Sequence, residues 1–407
     1  MGSSAFQRVA LTESDDVGSS LLIADFEPAD LVSGKATLLR RTCSLNMIFM
    51  NQRSWVALIL LYGTFAFVAP RCLAADGESA ETADSATRSE ERLVVIIRGA
   101  SGTSEYGQLF DSWSDRWEAA AVAGGAKVTR IGPKTGADDS VAASDRPSDA
   151  DRSSIEQVLG DAAAQAKSKK LAELWVVLIG HGTFDGRSAR FNLRGNDFGA
   201  EDLKKWLEPV TCPIAIANCS SASGPFLKAL AGQNRVVMTA TKTGAEINFA
   251  RFGEFLSEAV GDSKFDLDKD GQTSAFEAFL SASRRTLAFY ESEGRLATEH
   301  SLLDDNGDGL GVRADFFRGV RLVKKVQGGG AVDGRLAHRF HLVRSDSEQQ
   351  LSPETRKLRD QLEQAVIQLR DRKQSFDDED VYYAQLEELL LQLAKAYESS
   401  VPIPVSR

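Results

Sequence analysis

Two runs of apolar residues, each followed at once by a residue capable of chemistry, organise the chain. Leu174, Trp175, Val176, Val177, Leu178 and Ile179 run unbroken to Gly180 and are followed by His181 and Gly182. Ile214, Ala215, Ile216 and Ala217 follow Pro213 and lead through Asn218 to Cys219, Ser220 and Ser221. Short apolar stretches rich in β-branched residues and bounded by Gly or Pro mark strands covered on both faces, as in a parallel sheet flanked by helices. Further strands are expected at Leu93–Ile97, Lys127–Ile131 and Arg235–Thr239, with a short extra strand or hairpin at Arg190–Leu193. Between them the pattern predicts helices over Leu109–Val122, from a Ser154 cap to Lys170, over Glu201–Leu207 and over Gly224–Ala231. Alternating strands and helices of this kind imply a mainly parallel α/β sheet with helices on both sides.

Catalytic groups gather at the carboxyl ends of such strands. A thiol and an imidazole delivered there by neighbouring strands make a nucleophile and its base. Taken singly, a Cys after an apolar strand is a small buried hydrophobe and a His before Gly is a turn residue. The pair is what points to chemistry.

The succession of strand, His181-Gly182, strand, Cys219 and small residues resembles the legumain-like cysteine peptidases, in the clan that also holds caspases, gingipains and separase; the resemblance covers residues 92–260. It implies a caspase-like αβα sandwich and a Cys-His dyad, with Cys219 as nucleophile and His181 as acid and base. It also implies an oxyanion hole built from the amides of Gly182 and Cys219. Residues in and after the strand ending at Thr239 line the substrate pocket in that family, which nominates Thr239, Thr241 and Glu246, with Glu105 from the loop after the first strand. The match departs from legumain in that loop, where Glu105, Tyr106, Gly107 and Gln108 replace an asparagine, tyrosine, arginine and histidine. It departs again at Gly180, Ala217 and Ser220 around the dyad. An asparagine preference is therefore not implied, and Glu105 and Glu246 facing the pocket would favour a basic residue.

At 407 residues, 43% hydrophobic and 26% charged, the chain is long enough for one large α/β domain with additions. Its net charge of -10 argues against nucleic acid or an anionic membrane as the main partner; a protein or peptide substrate is what the resemblance implies. Residues 50–75 read as a signal peptide, with Arg53 near its start, an apolar stretch from Trp55 to Val68 and a Cys72-Leu73-Ala74 ending. That stretch is shorter than the ~20 residues a membrane span needs, so an exported, bacterial-type protein without a stable span is expected. Residues 1–49 then read as a non-native extension upstream of the true start, and 76–91 as a disordered linker. The mature chain keeps only Cys212 and Cys219, at the two ends of one strand, where they cannot bridge.

Residues 261–345 carry a second constellation. Asp266, Asp268, Asp270, Ser274 and Glu277, with Gly271 at the sharp turn and Gln272 completing the set, fit a calcium-binding EF-hand loop. Ser274 and Glu277 also fit a capping box for a helix over Ala275–Tyr290, and the two readings are compatible. A second loop at Asp304, Asn306, Asp308 and Asp315 has Asp in place of the usual bidentate Glu. A late strand is expected at Arg339–Val343, with His338 and His341 as partly exposed strand residues. From Ser352 and Pro353 a helix with Leu358, Leu362, Val366 and Leu369 on one face precedes another carrying Tyr383, Leu386, Leu390, Leu393 and Tyr397. Together they read as a C-terminal helical hairpin at 352–400, a candidate surface for self-association.

The expectation is an exported cysteine endopeptidase working through a thioester, with structural Ca²⁺ and no cofactor needed for chemistry. The alternatives are a non-catalytic, calcium-stabilised scaffold of the same fold and a transpeptidase that resolves the thioester with an amine.

Overall fold

The computed structural model describes residues 91–132, 149–324 and 332–398, all within the second of the two units into which the chain divides after Arg88. The extension, signal peptide and most of the linker expected from the sequence lie outside the described residues. No described helix is long and apolar enough to cross a membrane.

The strands among the described residues are β1 (Glu91–Arg98), β2 (Lys127–Ile131), β3 (Leu171–Ile179), β4 (Gly182–Phe184), β5 (Ala189–Phe191), β6 (Phe198–Gly199), β7 (Ile214–Asn218), β8 (Arg235–Thr239), β9 (Leu302–Asp304), β10 (Phe317–Arg318) and β11 (Arg321–Leu322), the last two forming a hairpin of their own. Six of them form one sheet in the order β2-β1-β3-β7-β8-β9. All neighbours run parallel except β9, which closes the edge antiparallel to β8. β4, β5 and β6 make a small antiparallel sheet beyond the end of β3, where the sequence suggested a short strand or hairpin.

The helices are α1 (Ser104–Ala123), α2 (Ala150–Lys167), α3 (Ala200–Leu207), α4 (Gly224–Leu230), α5 (Phe252–Ala259) and α6 (Ala275–Ser292), followed by α7 (Asp346–Gln350), α8 (Pro353–Asp371) and α9 (Glu379–Glu398). Side chains alternate along each strand, so the sheet feeds two separate cores. Val94, Ile96, Trp175, Val177, Ala215, Ala217, Val236 and Met238 pack with Phe110, Trp113 and Trp117 of α1 and with α5 and α6. Val95, Ile97, Val176, Leu178, Ile214, Ile216 and Val237 pack on the other face with Ile155 and Leu159 of α2 and with α3 and α4. The expected αβα sandwich is thus observed, with helices α8 and α9 following as the expected hairpin. Burying each large apolar side chain of these cores stabilises the fold by about 1.5–3 kcal/mol.

Three local readings are corrected, and one strand is new. Ser154 does not cap α2; its hydroxyl donates to the Ala150 carbonyl (2.8 Å) inside a helix that already begins at Ala150. Arg339–Val343 is not a strand, since a short 3₁₀ turn at Ala337–Arg339 carries His338 and His341 towards the acidic loop of 266–277 instead. The edge strand is β9, supplied from between the two acidic loops. In α9 Tyr382 and Ala396 are buried, Tyr383, Leu386 and Leu393 of the expected face are half-buried, and Leu390 and Tyr397 of that face are exposed.

Candidate active site

β3 and β7 are adjacent in register, Leu178 opposite Asn218, and the Cys219 amide donates to the Leu178 carbonyl (2.9 Å). His181 continues the alternation of Trp175, Val177 and Ile179, and Cys219 that of Ala215 and Ala217, so both side chains leave the sheet on the α1 and α5 face. Cys219 packs in that core. The His181 ring sits edge-on to Tyr106 (centroids 4.9 Å apart) and Phe110 (5.2 Å), with Phe249 at 6.1 Å. Gly182 is required by close approach, because a Cβ there would lie 2.0 Å from the Ser221 carbonyl oxygen. The missing side chain lets the loop after Cys219 pack directly against the His181 turn.

His181 Nε2 lies 3.1 Å from the Ser101 carbonyl. A carbonyl can only accept, so Nε2 carries the proton and the lone pair is on Nδ1. Burial pulls the imidazole below its usual 6.5, and the Ser101 carbonyl opposes this only in part. Its resting form at neutral pH is a neutral base. Cys219 is 1% exposed. Burial, and secondarily the Glu299 carboxylate, push its thiol up to about 12. Its sulfur approaches the Ala217 carbonyl at 4.0 Å, and no hydrogen bond joins it to His181.

Both expected oxyanion donors are engaged. The Cys219 amide is spent in the sheet ladder with Leu178. The Gly182 amide donates to the Ser221 hydroxyl (3.2 Å), which donates back to the Gly182 carbonyl (3.2 Å). A rotatable hydroxyl is readily replaced by a substrate oxygen, and a ladder carbonyl is not.

The expected pocket residues are placed differently. Thr239 and Thr241 are fully buried. The Thr239 hydroxyl donates to the Thr241 carbonyl (2.9 Å), and the Thr241 hydroxyl accepts from the Gly224 amide (3.0 Å). They brace the turn after β8 and cannot line a pocket, because a buried hydroxyl at a strand end satisfies itself locally. Glu246 does not face a substrate either. Its carboxylate accepts from the Lys242 amide (2.9 Å), the His300 amide (3.2 Å) and His300 Nδ1 (2.7 Å). Glu105 is exposed in the first turn of α1.

Three contributors were not singled out from the sequence. Phe249 packs on Tyr106 with centroids 4.6 Å apart. Ser221 holds Gly182. Glu299, 4% exposed, accepts from the amides of Arg251 (2.7 Å) and Phe252 (3.1 Å) and from the Tyr290 hydroxyl (3.0 Å). Strand alternation would have placed His181 and Cys219 on one face. No local pattern signals the contacts of Glu299, whose partner amides lie 47 and 48 residues away.

The first acidic loop folds as a tight turn between α5 and α6. Carboxylate oxygens of Asp266, Asp268 and Asp270 lie within 4.8 Å of one another. Gly271, at φ +91, donates its amide to Asp266 (2.9 Å). The capping box is also present: Ser274 Oγ accepts from the Glu277 amide (3.2 Å), and the Glu277 carboxylate accepts from the Ser274 amide (2.9 Å). The other Glu277 oxygen accepts from the amides of Leu267 (2.7 Å) and Asp268 (3.2 Å). The Gln272 side chain donates to Asp270 (3.1 Å) and accepts from the Ser345 amide (3.2 Å). Burial, then the neighbouring Asp268, raise the Asp270 carboxyl to about 6. Three crowded oxygen donors with mutual repulsion suit a hard divalent cation such as Ca²⁺.

The second loop departs from expectation at its last position. Asp315 pairs with Arg313 (3.2 Å) and Lys324 (2.7 Å) and takes no part in the turn. Asp333 stands in the corresponding place, one oxygen accepting from the amides of Asp305 (3.0 Å) and Asn306 (3.2 Å), as Glu277 does from Leu267 and Asp268. Asp304 accepts from the amides of Gly307 (3.1 Å) and Gly309 (2.6 Å), Asn306 from that of Asp308 (2.8 Å), and Asp308 from that of Leu310 (2.8 Å).

No protein-family model and no curated protein matches the sequence. Among the solved structures similar to the chain are two caspases. Caspase-1 from Spodoptera frugiperda is 11% identical, over 53% of this chain and 86% of that one, with a TM-score of 0.33. The Drosophila initiator caspase Dronc is 11% identical, over 61% of this chain and 97% of that one, also at 0.33. Likenesses of this size say nothing about activity. The strands and helices themselves define the class, an αβα sandwich on a mostly parallel sheet.

Proposed function

We propose that the chain is a cysteine endopeptidase with Cys219 as nucleophile and His181 as acid and base. The supporting observation is that thiol and imidazole leave neighbouring central strands at their carboxyl ends on one face of the sheet. In the reaction, His181 takes the thiol proton and the sulfur attacks the scissile carbonyl carbon. The C–N bond breaks as the imidazolium returns the proton to the leaving amine, and water then hydrolyses the thioester to restore the thiol. An amine in place of that water would make the same site a transpeptidase. Residues 50–75 act as the export signal under this reading, Ca²⁺ is a structural ligand of the loop at 266–277, and the exposed Leu358, Leu390 and Leu391 of the hairpin offer a surface for self-association.

Cys219→Ala is expected to abolish peptide hydrolysis, and His181→Ala to lower it by about 10²–10⁴-fold, with both variants retaining wild-type circular dichroism. Hydrolysis by purified Cys219→Ala at the wild-type rate would remove the assignment. The scaffold reading is favoured by one observation, the commitment of the Cys219 amide to Leu178. A thiol-reactive peptide probe that never labels Cys219 under any condition would favour it further.

A further inference from the structure

A peptide carbonyl must come within about 3–3.5 Å of the attacking sulfur, and a thiol 1% exposed leaves it no approach. Over this end of the core lies the segment of residues 246–253, which follows β8 and runs into the first turn of α5. Its Phe249 ring packs at a tilt on Tyr106 (4.6 Å), 5.9 Å from Trp113 and 6.1 Å from His181. Its Gly253 backbone lies directly on the nucleophile, since a Cβ there would fall 2.6 Å from the Cys219 Cβ.

This segment forms no strand of the sheet. Glu246 reaches His300 (2.7 Å), and its carbonyl accepts the amide of Ala222, three residues past the nucleophile (2.8 Å). Glu299 takes the amides of Arg251 and Phe252. Arg251 in turn lies over the Phe289 ring of α6 (4.2 Å). Two consecutive residues ahead of β9, Glu299 and His300, thus hold both ends of the segment. Both also line a cavity of about 140 Å³ with Arg284 and Arg313.

We propose that residues 246–253 are a cap latched by Glu299 and His300, and that the fold described is the latent form of the site. Releasing the latch lifts Phe249 and Gly253 and opens Cys219 to substrate. The proposal regulates the dyad assigned above and so takes its meaning from the peptidase reading, but its test does not need turnover.

The experiment is alkylation of the full-length chain by iodoacetamide, with Cys219 and Cys212 followed separately by peptide mass spectrometry. Cys212, half-buried at the opposite end of the same strand, is the internal reference. Phe249→Ala removes the ring, and His300→Ala removes one latch contact at a partly exposed position. The ratio of Cys219 to Cys212 labelling is expected to be low in the wild type and to rise about tenfold or more in each variant, the signature of a local opening. A ratio unchanged in the variants overturns the cap, and so does a rise of both rates in step, which is general loosening. A ratio that rises while no peptide is ever hydrolysed leaves the cap in place and removes the peptidase reading instead.

Discussion

Glu299 is a carboxyl held where ionisation is costly. Burial raises it to about 7 from the ordinary 4.5, against the amides of Arg251 and Phe252 and the Tyr290 hydroxyl, which favour the charged form. A folded-state value above the unfolded one means a contribution fully present below pH 4.5 and lost as pH rises through about 7. Glu299→Gln keeps an acceptor but cannot ionise. Urea melts between pH 4.5 and 8 should therefore show the wild type losing stability relative to the Gln variant as pH rises, by on the order of 3 kcal/mol across the window. Parallel curves would show that the carboxyl is already ionised in the fold. The thiol of Cys219 is raised for the same reason, with burial first and Glu299 second, so one carboxyl bears both on the cap and on the nucleophile beneath it.

Elements differ in how plainly the sequence announces them. β2 and β8 coincide residue for residue with the expected strands; in β8 a buried apolar run sets the ends, whereas β2 is a partly exposed edge strand of mixed composition. α1 starts five residues earlier than its apolar pattern, at a Thr103 cap that accepts the Tyr106 amide (3.4 Å). β9 could not have been read, since Leu302–Asp304 is short and its pairing with β8 is made over more than 60 residues. The site divides the same way. The placement of His181 and Cys219 just past two adjacent strands was legible from the apolar runs that precede them, whereas Thr239, Thr241 and Glu246 were misread because sequence does not show whether a polar side chain turns inward to its own backbone. In the hairpin, Leu389, Leu390, Leu391 and Leu393 populate both faces of α9, and only packing against α8 chooses between them. Leu369, 2% exposed, is the buried anchor of α8, and Leu390 is 42% exposed. Leu369→Ala should cost about 2–4 kcal/mol in thermal or urea melts, whereas Leu390→Ala should stay within about 0.5 kcal/mol. Equal losses would place the seam elsewhere.

Across the whole molecule, the two acidic loops sit at connections between elements that pack on or belong to the sheet. The first links α5 to α6, both of which pack on the Cys219 face, and the second follows β9, the strand just after the cap's latch. In the first loop Asp266, Asp268 and Asp270 crowd together, with His338 reaching Asp268 at 3.0 Å. Asp270, raised to about 6 by burial and then by Asp268, contributes stability below the ordinary carboxylate range that is lost as pH rises through 6. A divalent cation bound there would reverse that loss and, binding only the native chain, would add about 2.7 kcal/mol at a hundredfold excess over its dissociation constant. Glu277 is a poor residue for the test, because removing it also breaks the capping box and frees the amides of Leu267 and Asp268. Asp270→Asn is a better one. Without cation at neutral pH it should melt at or above the wild type, having lost a repelling carboxylate, and with millimolar-order Ca²⁺ it should gain little where the wild type gains much. Asp315→Asn should leave the calcium response untouched, since that carboxylate belongs to Arg313 and Lys324, and Asp333→Asn should diminish whatever part the second loop supplies. Wild-type melts that superimpose with chelator and with Ca²⁺ would leave the capping box of Ser274 and Glu277 as the whole account of the first loop.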